Sequence, residues 1–156
     1  MHDEAAHVPT HVVTCFLLRK GPEGDRILLV QRSQAVRTYK GHWAAISGYL
    51  EPGVSPEEQA YTELLEEANL SRKDVRLITA GQPVEFRDES IDQSWVVHPF
   101  LFELMHLATL RTDWEAADQR WVAPEAVASY PTVPRLVEAL RSVYSGGSGN
   151  VDINIE

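Results

Sequence analysis

The stretch from Ser47 to Leu70 constrains the fold most, because it combines a glycine turn with a single well-marked helix. The segment SPEE at residues 55–58 forms a capping box, with proline at the first helical position, where its missing N–H costs nothing. Asn69 can end the helix in the left-handed conformation. The sequence therefore predicts a helix over about residues 56–68, with an apolar stripe made of Ala60, Tyr61, Leu64, Leu65 and Ala68.

The other side of the predicted helix carries a cluster of acidic residues. Glu63 neighbours both Glu66 and Glu67 at helical spacing, and no Lys or Arg occurs over residues 55–70 to relieve the repulsion. A solvated acidic face is the ordinary interpretation, but the helix dipole disfavours anions in the last turn, which favours a cation site. Glutamate oxygens without Cys or His nearby indicate a hard ion, Mg²⁺ or Mn²⁺. The predicted polar face comprises Gln59, Glu63, Glu66 and Glu67.

The loop and the helix together carry a motif. Its residues are Gly48, Glu51, Gly53, Glu63, Leu64, Glu66, Glu67 and the aliphatic Leu70. Over all twenty-three positions from Gly48, the stretch resembles the signature loop and helix of the Nudix hydrolases, G-x5-E-x7-R-E-U-x-E-E-x-G-U, where U is aliphatic. Three positions depart from this signature: Val54 stands for Glu, Thr62 for Arg and Asn69 for Gly.

The resemblance implies a fold and a set of catalytic residues. The fold is an α/β/α sandwich, with a mixed β-sheet between helices, over roughly residues 10–144. Glu66 and Glu67 would be primary metal ligands, and Glu63 would be a ligand through water or the catalytic base. The family's Arg orients this last glutamate through a salt bridge, which the hydroxyl of Thr62 cannot form.

Further metal ligands are expected from two other places. A short buried strand at 43–47 runs directly into Gly48, so the backbone carbonyls of Ser47 and Gly48 should approach the helix acids. In the family, a further acid from the region of 112–118 often completes the metal set or serves as the base. Glu115 is the first candidate and Asp118 the second, and ordinary loop acids are an equally good interpretation of both.

A basic loop precedes that strand on an otherwise acidic chain. Residues 33–42, with Arg32 just before them, form the densest positive segment, while the formal net charge is −9. This charge argues against stable nucleic-acid binding and repels a polyphosphate at long range, so a phosphate site needs bound metal and local cations. We predict contacts to substrate phosphate or ribose, with a plain exposed loop as the equally weighted alternative, from Arg32, Arg37, Tyr39 and Lys40.

The rest of the chain follows the order β-β-β-α-β-β-β-α, which suits a mixed sheet covered by helices on both faces. A five-residue turn is expected at 21–25, a break or bulge near 81–83 and a kink at Pro99. The predicted strands are 11–20, 26–32, 43–47, 75–86, 94–107 and 119–122, and the closing helix is 133–144.

Length and composition fit a single domain over residues 1–156. The one cysteine, Cys15, excludes an intrachain disulfide and is expected in the core. Without a signal peptide or an apolar segment of membrane length, we expect a cytoplasmic protein with no membrane partner. After a Gly/Ser-rich linker at 145–150, the final VDINIE alternates like a strand, which would join a sheet edge, join a second subunit in a homodimer, or stay disordered.

These observations lead to hypotheses of different classes. The first is a metal-dependent pyrophosphohydrolase, in which water attacks phosphorus in a nucleoside diphosphate linked to another group that no feature specifies. The alternative is a Nudix-fold nucleotide-binding or regulatory module without hydrolysis, supported by Thr62 and Val54; an isomerase of the same fold is weaker. The three retained helix acids favour the hydrolase. Phe86, Trp95 and Tyr39 could stack on a base, although core packing explains each at least as well.

Overall fold

The computed structural model describes residues 8–105 and 116–145, with only the backbone described at 116 and 117. The predictions for Glu115, for linker residues 146–150 and for the final VDINIE segment fall outside these residues. The helices are α1 (Pro56–Ala68) and α2 (Leu136–Val143), with short 3₁₀ turns at Arg72–Asp74, Glu89–Ile91 and Pro124–Ser129. The strands are β1 (Thr10–Gly21), β2 (Gly24–Arg32), β3 (Trp43–Ala44), β4 (Ile46–Tyr49), β5 (Val75–Ala80), β6 (Val84–Asp88), β7 (Gln93–Leu104) and β8 (Ala116–Val122).

These strands form one mixed sheet with β1 and β7 at its centre. The main path runs β3-β2-β1-β7-β5, while β4 also pairs with β1, β6 with β7 and β8 with β2. The β1–β7 pairing is parallel, and the other pairings are antiparallel. The mixed sheet predicted from the element order is therefore confirmed.

The two helices cover opposite faces of this sheet. Side chains alternate along β1, so that Val13, Cys15 and Leu17 pack in the cluster of α1, while Phe16 and Leu18 pack in the cluster of α2. This arrangement confirms the α/β/α sandwich and the expectation that Cys15 lies in the core. In the described ranges, no helix combines the length and the apolar content that crossing a membrane requires.

Two predictions for the first strands were wrong. Gly21 pairs directly with Gly24, which leaves a two-residue turn instead of the expected loop of five. A positive φ of 107° at Gly24 allows this tight reversal. The predicted strand at 43–47 is two strands, because the chain pairs first with β2 and then crosses to pair with β1.

Strand β7, which is as long as β1, continues through Pro99, the residue at which the sequence predicts a kink. On one edge, β6 pairs with β7 up to Val97 and β5 pairs from Phe100, so the proline lies between the two partners and its missing N–H breaks no ladder there. The predicted break at 81–83 is confirmed, since β5 and β6 are separate strands.

Helix α1 has the predicted bounds but presents different residues to the core. Gln59 and Glu63 are buried, with 3% and 8% of their surface exposed, whereas Leu65 is 53% exposed. The predicted faces were therefore rotated, and the reason is local: Gly48 has no side chain, so the row containing Glu63 approaches β4 closely.

The caps of α1 are partly as predicted. Ser55 Oγ accepts a hydrogen bond from the Glu58 amide at 3.2 Å, and Asn69 ends the helix with φ of 63°. The Glu58 carboxylate does not return to the cap but binds Arg72 at 3.1 Å. Helix α2 begins at Leu136, three residues later than predicted. The reason is that the Val133 amide donates a hydrogen bond to the carbonyl of Trp43, which keeps the backbone before the helix paired with β3.

Candidate functional site

A cleft of about 390 Å³ lies beside the sheet, next to the loop between β4 and α1. Its acidic side comes from that loop and from α1, and its aromatic side comes from the 33–42 loop, β6 and β7. Val12 and Val97, on the central strands, form part of the apolar wall between the two sides. The acidic residues are Glu51, Glu63, Glu66 and Glu67, and the aromatic residues at the other side are Tyr39, Phe86 and Trp95.

Glu63 is held directly against Gly48. A Cβ atom placed on Gly48 would lie 2.1 Å from the Glu63 carboxyl carbon, a distance that no side chain can occupy. The close approach therefore explains why a glycine follows Ser47 at the end of β4. It also places the predicted helix acid next to the Cα atom of Gly48, the residue whose carbonyl is a predicted ligand.

The carboxylate of Glu63 receives a hydrogen bond from Gln59, which the sequence analysis assigned to the polar face of the helix without a role. Gln59 Nε2 donates to Glu63 Oε2 at 3.0 Å, and Gln59 Oε1 accepts from the Glu51 amide at 3.0 Å. The one sequence signal for this contact is the spacing of four residues between the amide and the carboxylate on a helix. Our prediction placed both side chains on a solvent face, where such a contact carries little weight.

Electrostatics at this end of the cleft favour a bound cation. Burial raises the pKa of Glu63 above its usual range, and the charges of Glu66 and Glu51 raise it further, whereas the hydrogen bond from Gln59 lowers it. A buried carboxylate among like charges is stabilised by an ion of opposite sign. Oxygen ligands of this kind fit Mg²⁺ or Mn²⁺.

The acids do not yet converge on one point. Among residues 8–105 and 116–145, no three His, Cys, Asp or Glu side chains already form a metal-binding group. Glu66 is exposed and Glu67 is half-buried, and both lie one helical turn after the buried Glu63 on α1. The chemistry of the donor set therefore fits the metal that the helix motif implies.

The structure separates the four predicted substrate-binding residues into two pairs. Arg32 and Tyr39 line the cleft, whereas Arg37 and Lys40 are exposed and are not among the lining residues. Arg32 donates through Nε to the Thr38 carbonyl at 2.8 Å and through Nη2 to Thr38 Oγ1 at 3.3 Å. Its side chain therefore shapes the 33–42 loop where the loop meets the cleft.

The aromatic side contains a buried donor without an acceptor. Trp95 is 8% exposed, and its Nε1 has no hydrogen-bond partner among the described residues. Its ring lies 6.4 Å from that of Tyr39. Burial and the hydrogen bond to Asp88 raise the pKa of Tyr39 to about 12, and the nearby indole N–H offsets part of this rise without reaching hydrogen-bonding geometry.

Arg135 also lines the cleft, although no sequence pattern indicates this position. Its guanidinium lies 5.3 Å from the centre of the Phe86 ring and pairs with Glu138 at 2.9 Å. Its backbone has φ of 68°, immediately before α2. Asp118, the second candidate for an additional acid, is exposed on β8 and is not among the lining residues.

Comparison with known proteins gives a family match over most of the chain. The family model described as the NUDIX domain matches residues 9–143. The RNA pyrophosphohydrolase of Proteus mirabilis (strain HI4320) is 47% identical over 45 residues, which are 28% of this chain and only 26% of that protein.

Solved structures share the fold at low sequence identity. The Ap4A hydrolase of C. elegans, in a binary complex, has a TM-score of 0.72 and 19% identity, covering 85% of this chain and 93% of that one. The NUDIX domain of Shewanella oneidensis NrtR, in complex with ADP ribose, has a TM-score of 0.66 and 17% identity, covering 88% and 90%.

Proposed function

Because the chain belongs to the NUDIX domain family, we propose that it is a metal-dependent pyrophosphohydrolase acting on a nucleoside diphosphate linked to another group. One observation carries the proposal: a single cleft joins the buried Glu63 and its acidic neighbours to an aromatic side. A substrate with a diphosphate and a planar base fits these two sides, because the diphosphate binds the acidic side through a metal ion and the base packs against the aromatic side. A nucleotide substrate also supports a cytoplasmic location.

The acidic side would hold one or more Mg²⁺ or Mn²⁺ ions. We assign Glu66 and Glu67 as primary ligands, with Glu63, the carbonyl of Gly48 and Glu115 completing the set. A bound ion would neutralise phosphate charge and lower the pKa of a coordinated water. The raised pKa of Glu63 supports this assignment, because a cation relieves the repulsion among these carboxylates.

The chain's own residues then position the substrate and accept a proton. Water attacks phosphorus in line with the bridging oxygen, the bond from phosphorus to that oxygen breaks, and its electron pair leaves with the departing phosphate. The proton of the attacking water passes to a carboxylate at the acidic side. Glu63 is the candidate base when it does not serve as a water-mediated ligand.

The rest of the substrate would extend toward the aromatic side. Arg32 and Tyr39 line that path, and Arg37 and Lys40 follow in the same exposed loop, so we assign phosphate or ribose contacts to these four residues. The indole N–H of Trp95 would donate to an acceptor atom on the bound ring.

A binding module without hydrolysis is the second candidate. Thr62 is exposed and cannot form the salt bridge of the family's Arg, which supports this alternative. The NUDIX domain of NrtR, a structural neighbour, was solved with ADP ribose. The buried and hydrogen-bonded Glu63 favours the hydrolase, since a binder gains little from holding an acid in this way.

The test is a screen of nucleoside di- and triphosphates, nucleotide sugars and dinucleoside polyphosphates with Mg²⁺ or Mn²⁺, measuring phosphate and nucleotide release. We expect turnover that requires the metal and is abolished by Glu67→Gln. Glu57→Gln, the same change on an exposed residue in the first turn of α1, is the control and should retain activity. Tight metal-dependent binding without turnover of any substrate would favour the binding module.

A further inference from the structure

We infer that Gln59 is the positioning residue for Glu63, in the role that the family assigns to an arginine at the position of Thr62. The catalytic role of Gln59 rests on the proposed hydrolase function, whereas its position is set by its two hydrogen bonds, to Glu51 and to Glu63.

The Gln59 amide has one possible orientation. The Glu51 amide can only donate, and the ionised Glu63 carboxylate can only accept. The Gln59 oxygen must therefore face Glu51 and its nitrogen must face Glu63, as the two 3.0 Å contacts have it. The Gln59 side chain thus fixes the loop between β4 and α1 relative to Glu63 on the helix.

Burial makes these contacts strong and specific. Gln59 is 3% exposed and Glu63 is 8% exposed, so water does not compete effectively for either group. On its other side, the carboxylate rests against Gly48. Glu63 is therefore held by a donor and by a steric wall, which together limit its rotation.

Thr62 cannot contribute to this arrangement. It is exposed on α1, and its short hydroxyl side chain offers no charge. A neutral amide also differs from an arginine in its electrostatic effect, because it orients Glu63 without neutralising it. The full negative charge remains for a bound cation.

The decisive comparison uses the full chain with Gln59→Met, which keeps the length of the side chain and removes the amide. The matched control is Thr62→Met on the exposed face of the same helix. We expect Gln59→Met to lower kcat about 10- to 100-fold with a much smaller change in KM, as losses of supporting contacts at metal sites do. It should also weaken Mn²⁺ binding to the substrate-free protein, measured by electron paramagnetic resonance, whereas the control changes neither.

Restoring the family's residue provides the specific test. In the Gln59→Met background, Thr62→Arg should recover at least part of the lost kcat, because the arginine supplies a new donor to the glutamate. In the wild-type background, the same change should alter kcat by no more than about twofold, because the position of Glu63 is already fixed.

Several results would overturn the inference. One is a folded Gln59→Met protein with wild-type kcat and Mn²⁺ affinity. Another is a tenfold or greater rise in kcat from Thr62→Arg alone, a measurement that stands even when Gln59→Met does not fold. If the wild type turns over no substrate, the proposed function fails, and Mn²⁺ affinity still decides whether Gln59 orients Glu63.

Discussion

The hydroxyl of Tyr39 donates a hydrogen bond of 2.7 Å to Oδ2 of Asp88. This contact joins the 33–42 loop to the end of β6 beside the cleft. Tyr39 adopts a positive φ of 53°, a conformation that a bulky residue rarely takes without support. The hydrogen bond to Asp88 therefore helps to hold an aromatic cleft residue in an unusual backbone geometry.

Tyr39→Phe should raise the pKa of Asp88. Hydrogen bonds from Ser90 and then from Tyr39 lower that pKa, so loss of the phenol removes only part of the effect. The stabilisation from ionised Asp88 exists above its ordinary pKa and is lost as the pH falls through its lowered value, so the variant should lose it at a higher pH. An NMR titration of the Asp88 carboxyl measures the shift.

Tyr144→Phe is the control for this titration. The Tyr144 hydroxyl donates to Asp25 at 2.7 Å, a contact of the same kind elsewhere in the protein. It should leave the pKa of Asp88 unchanged. Equal Asp88 pKa values in wild type and Tyr39→Phe would show that the phenol does not stabilise the ionised carboxylate.

Gly48→Ala should damage the site by steric overlap. The φ of Gly48 is not positive, so the cost comes only from the new Cβ, which would overlap the Glu63 carboxylate. We expect a loss of about 1–3 kcal/mol in the free energy of unfolding and a fall in kcat, measured by urea denaturation and by turnover.

Gly21→Ala is a matched control, because the nearest atom to its Cβ, apart from the adjoining residues, would be the Gly24 carbonyl oxygen at 4.0 Å. Its activity should equal that of the wild type. A Gly48→Ala protein with wild-type stability and turnover would mean that Glu63 moves aside freely, and that its position is not important for the reaction.

The sequence predicted the layers of this fold well, because they depend on local periodicity and caps. The bounds of α1, its left-handed end at Asn69 and the two-sided covering of the sheet all followed from such signals. The orientation of α1 did not, since it depends on the approach of Gly48 to Glu63. A row of acidic and amide side chains looks solvated in a sequence until a strand packs against it.

The residues of the site also differ in whether the sequence could predict them. The acids of α1 were predicted because a single motif contains them. Trp95 and Arg135 come from β7 and from the residue before α2, and they meet in the cleft only through the tertiary fold. Periodicity cannot distinguish an aromatic residue in a cleft from one in the core, so for Trp95 the sequence supports core packing at least as well as base stacking.

Metal-free protein should lose stability as Glu63 ionises. The folded-state pKa of this carboxyl is raised, so its contribution to stability is fully present below the ordinary value of 4.5 and is lost as the pH rises through the raised value. Relative to Glu63→Gln, wild type in EDTA should therefore become less stable toward neutral pH, by at most about 1.4 kcal/mol per pH unit.

Urea denaturation of both proteins between pH 4.5 and about 7.5 measures this difference. Glu57→Gln, at an exposed position, should show no such pH-dependent difference from the wild type. If the difference between wild type and Glu63→Gln stays constant over the range, burial does not penalise the ionised Glu63.

Trp95→Phe should weaken substrate binding more than it slows the chemical step. The substitution keeps an aromatic ring at the cleft but removes the indole N–H, which has no partner among the described residues. In the free protein this removes an unsatisfied buried donor, while in the complex it removes a hydrogen bond to the bound ring, so we expect KM to rise about 5- to 20-fold.

The same substitution at Trp121, which packs with the cluster on the α1 face of the sheet, should leave KM unchanged. Steady-state kinetics on the substrate found in the screen would distinguish the two variants, and equal KM values would mean that the Trp95 N–H does not contact the substrate.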